Sequence, residues 1–213
     1  MKEIIIKKLN ERYTLTKRDM QDLKTIKKGL YRFDCEAYDI KDVGNLFFIN
    51  MKALFGLMKM ETAVITPIYK DLSFCNLDTI DAMSSQTYMF EMYESSLKKT
   101  DLSSFEEIKD RYSYLKDYES SPRWYDELRL SSSISKTGKK ISADGEKFLN
   151  ECLDEYMKLL SEAKDCDPEK KKAAVRTYVD KLIEKGGAAV DSMSKIIGPE
   201  KTSKLIREFM YNI

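Results

Sequence analysis

Apolar positions along the chain change period in a way that divides it into helical ends and a strand-rich middle. In residues 2–13, Ile5, Leu9 and Tyr13 recur at helical spacing. Thr16-Lys17-Arg18-Asp19 then has the spacing of a capping box ahead of Met20 and Leu23, so two short N-terminal helices are predicted. From Tyr31 the period drops to two: Tyr31, Phe33 and Cys35 alternate with Arg32, Asp34 and Glu36, the pattern of a half-buried strand. Leu46-Phe47-Phe48-Ile49 is apolar at every position, which calls for cover on both faces. Gly56 marks a hairpin between this run and the next; a turn centred there sets Asn50 and Thr62 opposite each other on one face. Glu61 to Pro67 reads as a strand stopped by a proline, Tyr88 to Tyr93 as another, and Leu128 to Ser135 as a serine-rich one. Residues 97–123 are polar, with a short helical stretch near Phe105–Ile108 and a Ser120-Ser121-Pro122 break in a surface loop.

The C-terminal third is helical. Phe148, Leu149, Cys152, Leu153, Tyr156 and Leu160 form one apolar stripe, and Asp167-Pro168 has the form of an N-cap with a first-turn proline. The helix that follows presents Val175, Tyr178, Val179 and Leu182 and stops at Gly186-Gly187; after Gly198-Pro199 a last helix presents Leu205, Ile206, Phe209 and Met210.

Strands joined by short turns imply a largely antiparallel sheet, and the doubly apolar strand requires helices on both sides of it. The expected fold is α+β, a three-layer α/β/α sandwich. One domain is expected over residues 1–213, with helices in 1–28, mostly antiparallel sheet in 30–136 and helices in 141–213. A ligand in such a fold lies between the sheet and one helical layer.

Composition narrows the chemistry. Thirty-seven Lys and Arg balance thirty-six Asp and Glu with no long block of one sign, so no nucleic-acid partner is expected. The apolar run at the N-terminus is too short for a signal peptide and no segment reaches spanning length, from which a cytoplasmic protein without a membrane partner is expected. The four cysteines form no Cys-x-x-Cys pair; buried free thiols are expected, and no metal site. The chain has no histidine, which removes Ser-His and Cys-His nucleophile pairs and the commonest general base. Proton chemistry must run through carboxylates, Lys, Tyr, Cys, water or the substrate. Paired lysines from Lys7-Lys8 to Lys170-Lys171-Lys172 read either as a solvated surface or as a docking patch for an acidic electron donor, and Trp124 either as strand-edge packing or as a stacking surface.

One carboxylate stands out. Asp71-Leu72-Ser73-Phe74-Cys75-Asn76-Leu77-Asp78 ends in an acid among residues that belong in a core. Asp78 can be read as the N-cap of a short helix over Thr79–Met83, or as a buried carboxyl group that keeps its proton to higher pH because desolvation penalises the anion.

Three segments carry a likeness to a known family. The strand, proline and closing aspartate of Glu61–Asp78 match a D-L-P-x-F-G-x-D pattern; Pro122-Arg123-Trp124-Tyr125-Asp126-Glu127-Leu128 matches a P-x-W-x-E-I entry to a strand; and Ile197-Gly198-Pro199-Glu200 through Tyr211-Asn212-Ile213 matches a closing F-G-x-x-W-A-x-x-Y-x-x-x-x-L-F-D segment. In this order, over roughly residues 30 to 213, the chain resembles the ferredoxin-dependent bilin reductases and their relative red chlorophyll catabolite reductase. The resemblance implies an antiparallel sheet between helical layers, with Asp78 as the catalytic aspartate that contacts pyrrole nitrogens and supplies a proton. Asn50 falls where some members have a glutamate, Thr62 where some have a histidine, and Phe74 within the substrate-binding motif. Lys136 approximates an arginine that holds a propionate, without the bidentate fork. Gly186-Gly187-Ala188 stands where members have an aspartate, and Asp191, one helical turn on, is the substitute. The resemblance further implies single electrons from ferredoxin or flavodoxin, no metal or flavin bound by the protein, and a bilin or other tetrapyrrole as substrate. The departures point to a reductase of different regiochemistry or of a different tetrapyrrole. The alternatives are a tetrapyrrole carrier or sensor on the same fold, and a module with no tetrapyrrole site.

Overall fold

The computed structural model describes the backbone of residues 1–213, and all side chains except those of residues 188 and 189. Its centre is one antiparallel sheet in which nearly every strand pairs with its sequence neighbour. The strands are β1 (Leu15–Lys17), β2 (Thr25–Lys28), β3 (Tyr31–Ile40), β4 (Gly44–Ala53), β5 (Met58–Pro67), β6 (Phe74–Ala82), β7 (Ser85–Tyr93) and β8 (Ile134–Gly138). Their order is β1-β3-β4-β5-β6-β7-β8, with β2 also on β3. Short hairpin connections make such a meander the simplest route for a chain with period-two patterning.

Helices cover both faces, as the doubly apolar run at Leu46–Ile49 requires. On one face α1 (Lys2–Asn10), α2 (Ser104–Arg111) and α3 (Ser142–Glu162) bury Ile5, Leu9, Phe105, Phe148, Cys152 and Tyr156 against Leu46, Phe48, Ala63, Leu77 and Phe90. On the other, α4 (Pro168–Lys185), α5 (Ala188–Ile197) and α6 (Pro199–Lys204), continued by a π-helical turn over Leu205–Met210, set Val175, Tyr178, Val179, Leu205 and Phe209 against Phe47, Ile49, Val64 and Phe74. The fold is the expected three-layer α/β/α sandwich. The Asp167 side chain caps α4 by accepting from the amides of Glu169 (2.9 Å) and Lys170 (3.3 Å). Cys35, Cys75 and Cys152 are buried free thiols.

The differences from the sequence reading have local causes. The second N-terminal helix does not form: Leu15–Lys17 pairs with Tyr38–Ile40 and Thr25–Lys28 with Tyr31–Asp34, because the outer edge of β3 otherwise exposes a row of unpaired amides and carbonyls. Met20 and Leu23 still reach the core, from a short 3-10 turn. β8 begins only at Ile134. Ahead of it the Ser133 hydroxyl takes both backbone groups of Met92, accepting from its amide at 3.0 Å and donating to its carbonyl at 3.2 Å, so a side chain replaces the ladder there.

Candidate functional site around Asp78

Asp78 lies in the middle of β6, which runs on to Ala82, so the helix-capping alternative falls. The strand alternation places Phe74, Asn76, Asp78 and Ile80 on the face covered by α4 to α6. Ile49, Thr62, Asp78, Met89 and Ser135 form one cross-strand row on that face. Above the row the cover is tight: Phe74 and Tyr93 are buried beneath Tyr178 and Tyr211, with ring centroids 4.8–5.8 Å apart where the four rings meet. Below it, Met58, Met60, Ile80 and Ala82 remain half-buried and make an apolar shelf. Asp78 sits on the border between the two. Grooves between β1 and β3, between α2 and α3 and beside the end of β7 do not include it. Because Asp78, Met58, Met60, Ile80 and Ala82 each keep part of their surface exposed, the face next to Asp78 is an apolar shelf that solvent reaches.

That position sets its proton affinity. Asp78 is deep in the mass of the protein yet keeps an aspect open to solvent. Desolvation pushes its carboxyl from the ordinary 3.8 up to about 7, against the Thr62 hydroxyl, which donates to it, and with the help of the nearby negative charge of Glu91. The group can give or take a proton near neutrality.

Glu91 faces the same side, paired with Asn76 and diagonal to Asp78. Its two oxygens accept from the Tyr93 hydroxyl (2.8 Å) and from Arg129 (3.2 Å), which also reaches Asp126 (3.1 Å) in a 3-10 turn over Trp124–Glu127. The Tyr211 hydroxyl lies against Tyr178 and Asn76, and burial raises its pKa. The carboxamide oxygen of Asn76 is buried without a partner among the described residues. Sequence reading did not single out Glu91, Arg129, Asn76 or the tyrosines. The available signal was period two: Asn76 is two residues from Asp78, and Glu91 is the charged member of an otherwise uncharged run from Tyr88 to Tyr93.

The other expected site residues divide. Thr62 and Phe74 share the Asp78 face. Asn50 does not: the hairpin turn centres between Phe55 and Gly56, so Asn50 pairs with Glu61 and Thr62 with Ile49. That single-residue slip in register sends Asn50 to the opposite side of the sheet, correcting the expected Asn50–Thr62 pairing. Lys136 also lies on the opposite side, in register with Tyr88. Its buried ammonium donates to Asp117 (2.7 Å) and to the Leu115 carbonyl (3.4 Å), tying a loop to β8 instead of facing the Asp78 shelf. Asp191 is exposed at the start of α5, and its carboxylate folds back on Gly186, where an added Cβ would lie 2.3 Å from it. Trp124 donates its indole N–H to the Gly186 carbonyl at 2.8 Å, so it packs the α4–α5 turn. The Ala188 side chain lies outside the described residues.

No protein-family model matches the sequence, and no curated relative does. Among solved structures, phytochromobilin synthase from tomato, in complex with biliverdin, is similar with a TM-score of 0.74 and 12% identity, covering 99% of this chain and 82% of that one. The two chains share a fold, that of an antiparallel sheet between helical layers. Among the described residues, no helix is long and apolar enough to cross a membrane.

Proposed function

We propose that the protein reduces a linear tetrapyrrole with single electrons from ferredoxin or flavodoxin, and that Asp78 donates the proton. The observation that carries this reading is a carboxyl group held near pKa 7 beside an open apolar shelf on the sheet. The shared fold with a structure that holds biliverdin supports the substrate class.

Reducing one carbon–carbon double bond of a bilin consumes two electrons and two protons. The conjugated pigment holds the unpaired electron between the two single-electron deliveries, so the protein needs only to bind, orient and protonate. Thr62 orients the Asp78 carboxyl, the shelf of Met58, Met60 and Ile80 takes the apolar face of the pigment, and Phe74 stiffens the strand behind. Asp78 gives its proton to the reduced pigment and, being half open, takes another from water. The bilin or related tetrapyrrole is the substrate, and the reading assigns no bound metal or flavin to the protein.

A carrier or sensor is the second reading. It is favoured by Asp191, whose carboxylate is turned to Gly186, and by Glu91, whose oxygens are already engaged, so that neither adds a second proton donor beside Asp78. Biliverdin added to the purified protein should shift and sharpen in absorption under both readings; an unchanged spectrum removes both. Anaerobic addition of reduced ferredoxin then separates them. A reductase bleaches or converts the bound pigment, and Asp78→Asn slows that step about a hundredfold; a carrier leaves the pigment unchanged.

A further inference from the structure

One end of the sheet gathers the turns between β2 and β3, β4 and β5, and β6 and β7, linked by the cross-strand row Lys28–Tyr31–Ala53–Met58–Ala82–Ser85. The tips of these turns are apolar and bare. Phe55 is 92% exposed, Met83 83% and Leu57 64%, with Leu30 and Tyr31 beside them. The tips adjoin one another: the Met83 amide donates to the Leu57 carbonyl at 3.1 Å. Leu54 (φ 53°), Phe55 (φ 57°) and Met83 (φ 57°) also hold left-handed backbone, where glycine or asparagine costs less. Neither burial nor turn geometry accounts for large apolar side chains at these positions.

One row inward, Lys27, Arg32, Lys52 and Lys59 stand directly opposite one another across four adjacent strands, all exposed, with Asp81 next in line. Like charges in direct register repel and weaken a sheet. Among the described residues, only Arg32 of the four has a carboxylate within ion-pair distance, Asp34 at 2.7 Å. Lys139 and Lys140 follow β8 at the same end.

We propose that this end of the sheet docks on the surface of an anionic lipid bilayer, Phe55, Leu57 and Met83 entering the interface while Lys27, Arg32, Lys52 and Lys59 meet the headgroups. Apolar tips flanked by a cationic row in which, among the described residues, only Arg32 is ion-paired suit a surface that is negatively charged outside and penetrable beneath. A second copy of the chain suits it poorly, since a two-fold contact brings the cationic rows towards one another. A rigid acidic protein offers the charge but not the depth that three separate projecting tips require. The contact is peripheral, so the absence of a spanning segment, which led to the expectation of no membrane partner, does not bear on it. The apolar shelf begins at this same end, from Met58 and Ala82 through Met60 and Ile80 to Asp78, so docking sets its mouth at the bilayer. The inference stands whether or not Asp78 is catalytic.

Co-sedimentation with vesicles tests it. The protein should pellet with phosphatidylcholine vesicles that contain phosphatidylserine, not with phosphatidylcholine alone, and high salt should weaken the binding. Lys52→Gln and Lys59→Gln should each cut partitioning about fivefold. Phe55→Asn combined with Met83→Asn should abolish most of it while thermal stability holds or rises, because asparagine accepts the left-handed backbone. The proposal is overturned if nothing pellets with phosphatidylserine vesicles, or if binding survives all four substitutions. It is likewise overturned by a lipid-free dimer that Phe55→Asn with Met83→Asn dissolves, which assigns the patch to a second copy.

Discussion

Thr62 and Asp78 face each other across β5 and β6, and the threonine hydroxyl donates to the aspartate carboxyl. A donated hydrogen bond favours the anion, whereas the negative charge of Glu91, diagonal on the next strand, favours the acid. Thr62→Val should therefore raise the Asp78 pKa further above about 7, and Glu91→Gln should lower it. Titration of the carboxyl carbon resonance by NMR reads both; shifts in the same direction would contradict the arrangement.

The raised pKa also makes stability depend on pH. The folded state binds the Asp78 proton more tightly than the unfolded chain, so this group's stabilisation is full below pH about 4 and is lost as pH rises through about 7. Its size is at most about 4 kcal/mol, and less because one side of the group stays wet. Glu36 acts in the opposite sense. Although partial burial pushes it up, Lys17, Lys2 and the Tyr38 hydroxyl hold it down to about 2, so its contribution is lost as pH falls towards that value. Urea unfolding of the wild type and Asp78→Asn between pH 4.5 and 8 isolates the Asp78 part: the variant should gain stability relative to the wild type as pH rises.

The shelf can be filled without touching Asp78. Met60 and Ile80 are half-buried cross-strand partners one step towards the hairpin tips. Met60→Trp should cover the surface and weaken biliverdin binding at least tenfold, about 1.4 kcal/mol, while the melting temperature changes little. Equal affinity in the variant would place pigment somewhere other than this shelf.

On the opposite face α3 approaches β7 through a glycine. A Cβ added at Gly145 would lie 2.3–2.6 Å from ring atoms of Tyr88. Gly145→Ala should destabilise the protein by about 1–3 kcal/mol, and the penalty should shrink when Tyr88→Leu removes the ring, a coupling readable from a double-mutant cycle in urea.

Much of the fold is legible in side-chain period. The alternation from Tyr31, the doubly apolar run at Leu46–Ile49, the α3 stripe and the Asp167 cap each name their element, since each is a local pattern that burial on one or both faces must obey. Thr16–Asp19 misleads because its capping-box spacing is outweighed by the unpaired edge of β3, a partner distant along the chain. Asp78 was recognisable as an acid in apolar company. Its neighbours were not, because Glu91 and Tyr211 come to it from separate elements, and Arg129 comes from a third to hold Glu91.

By itself, then, the sequence determined the long strands β3 to β5 and β7 and the helices α3 and α4, that the sheet must be covered twice, and that proton chemistry here runs without histidine. Only the tertiary structure decided which side of the sheet each polar residue takes. A turn centred half a residue earlier puts Asn50 and Thr62 on opposite faces and leaves Thr62 alone with Asp78. The reason is the period of two: local patterning defines a strand, but the face that a given residue shares with residues on other strands follows from register, and register is settled by turn geometry and packing across the whole sheet.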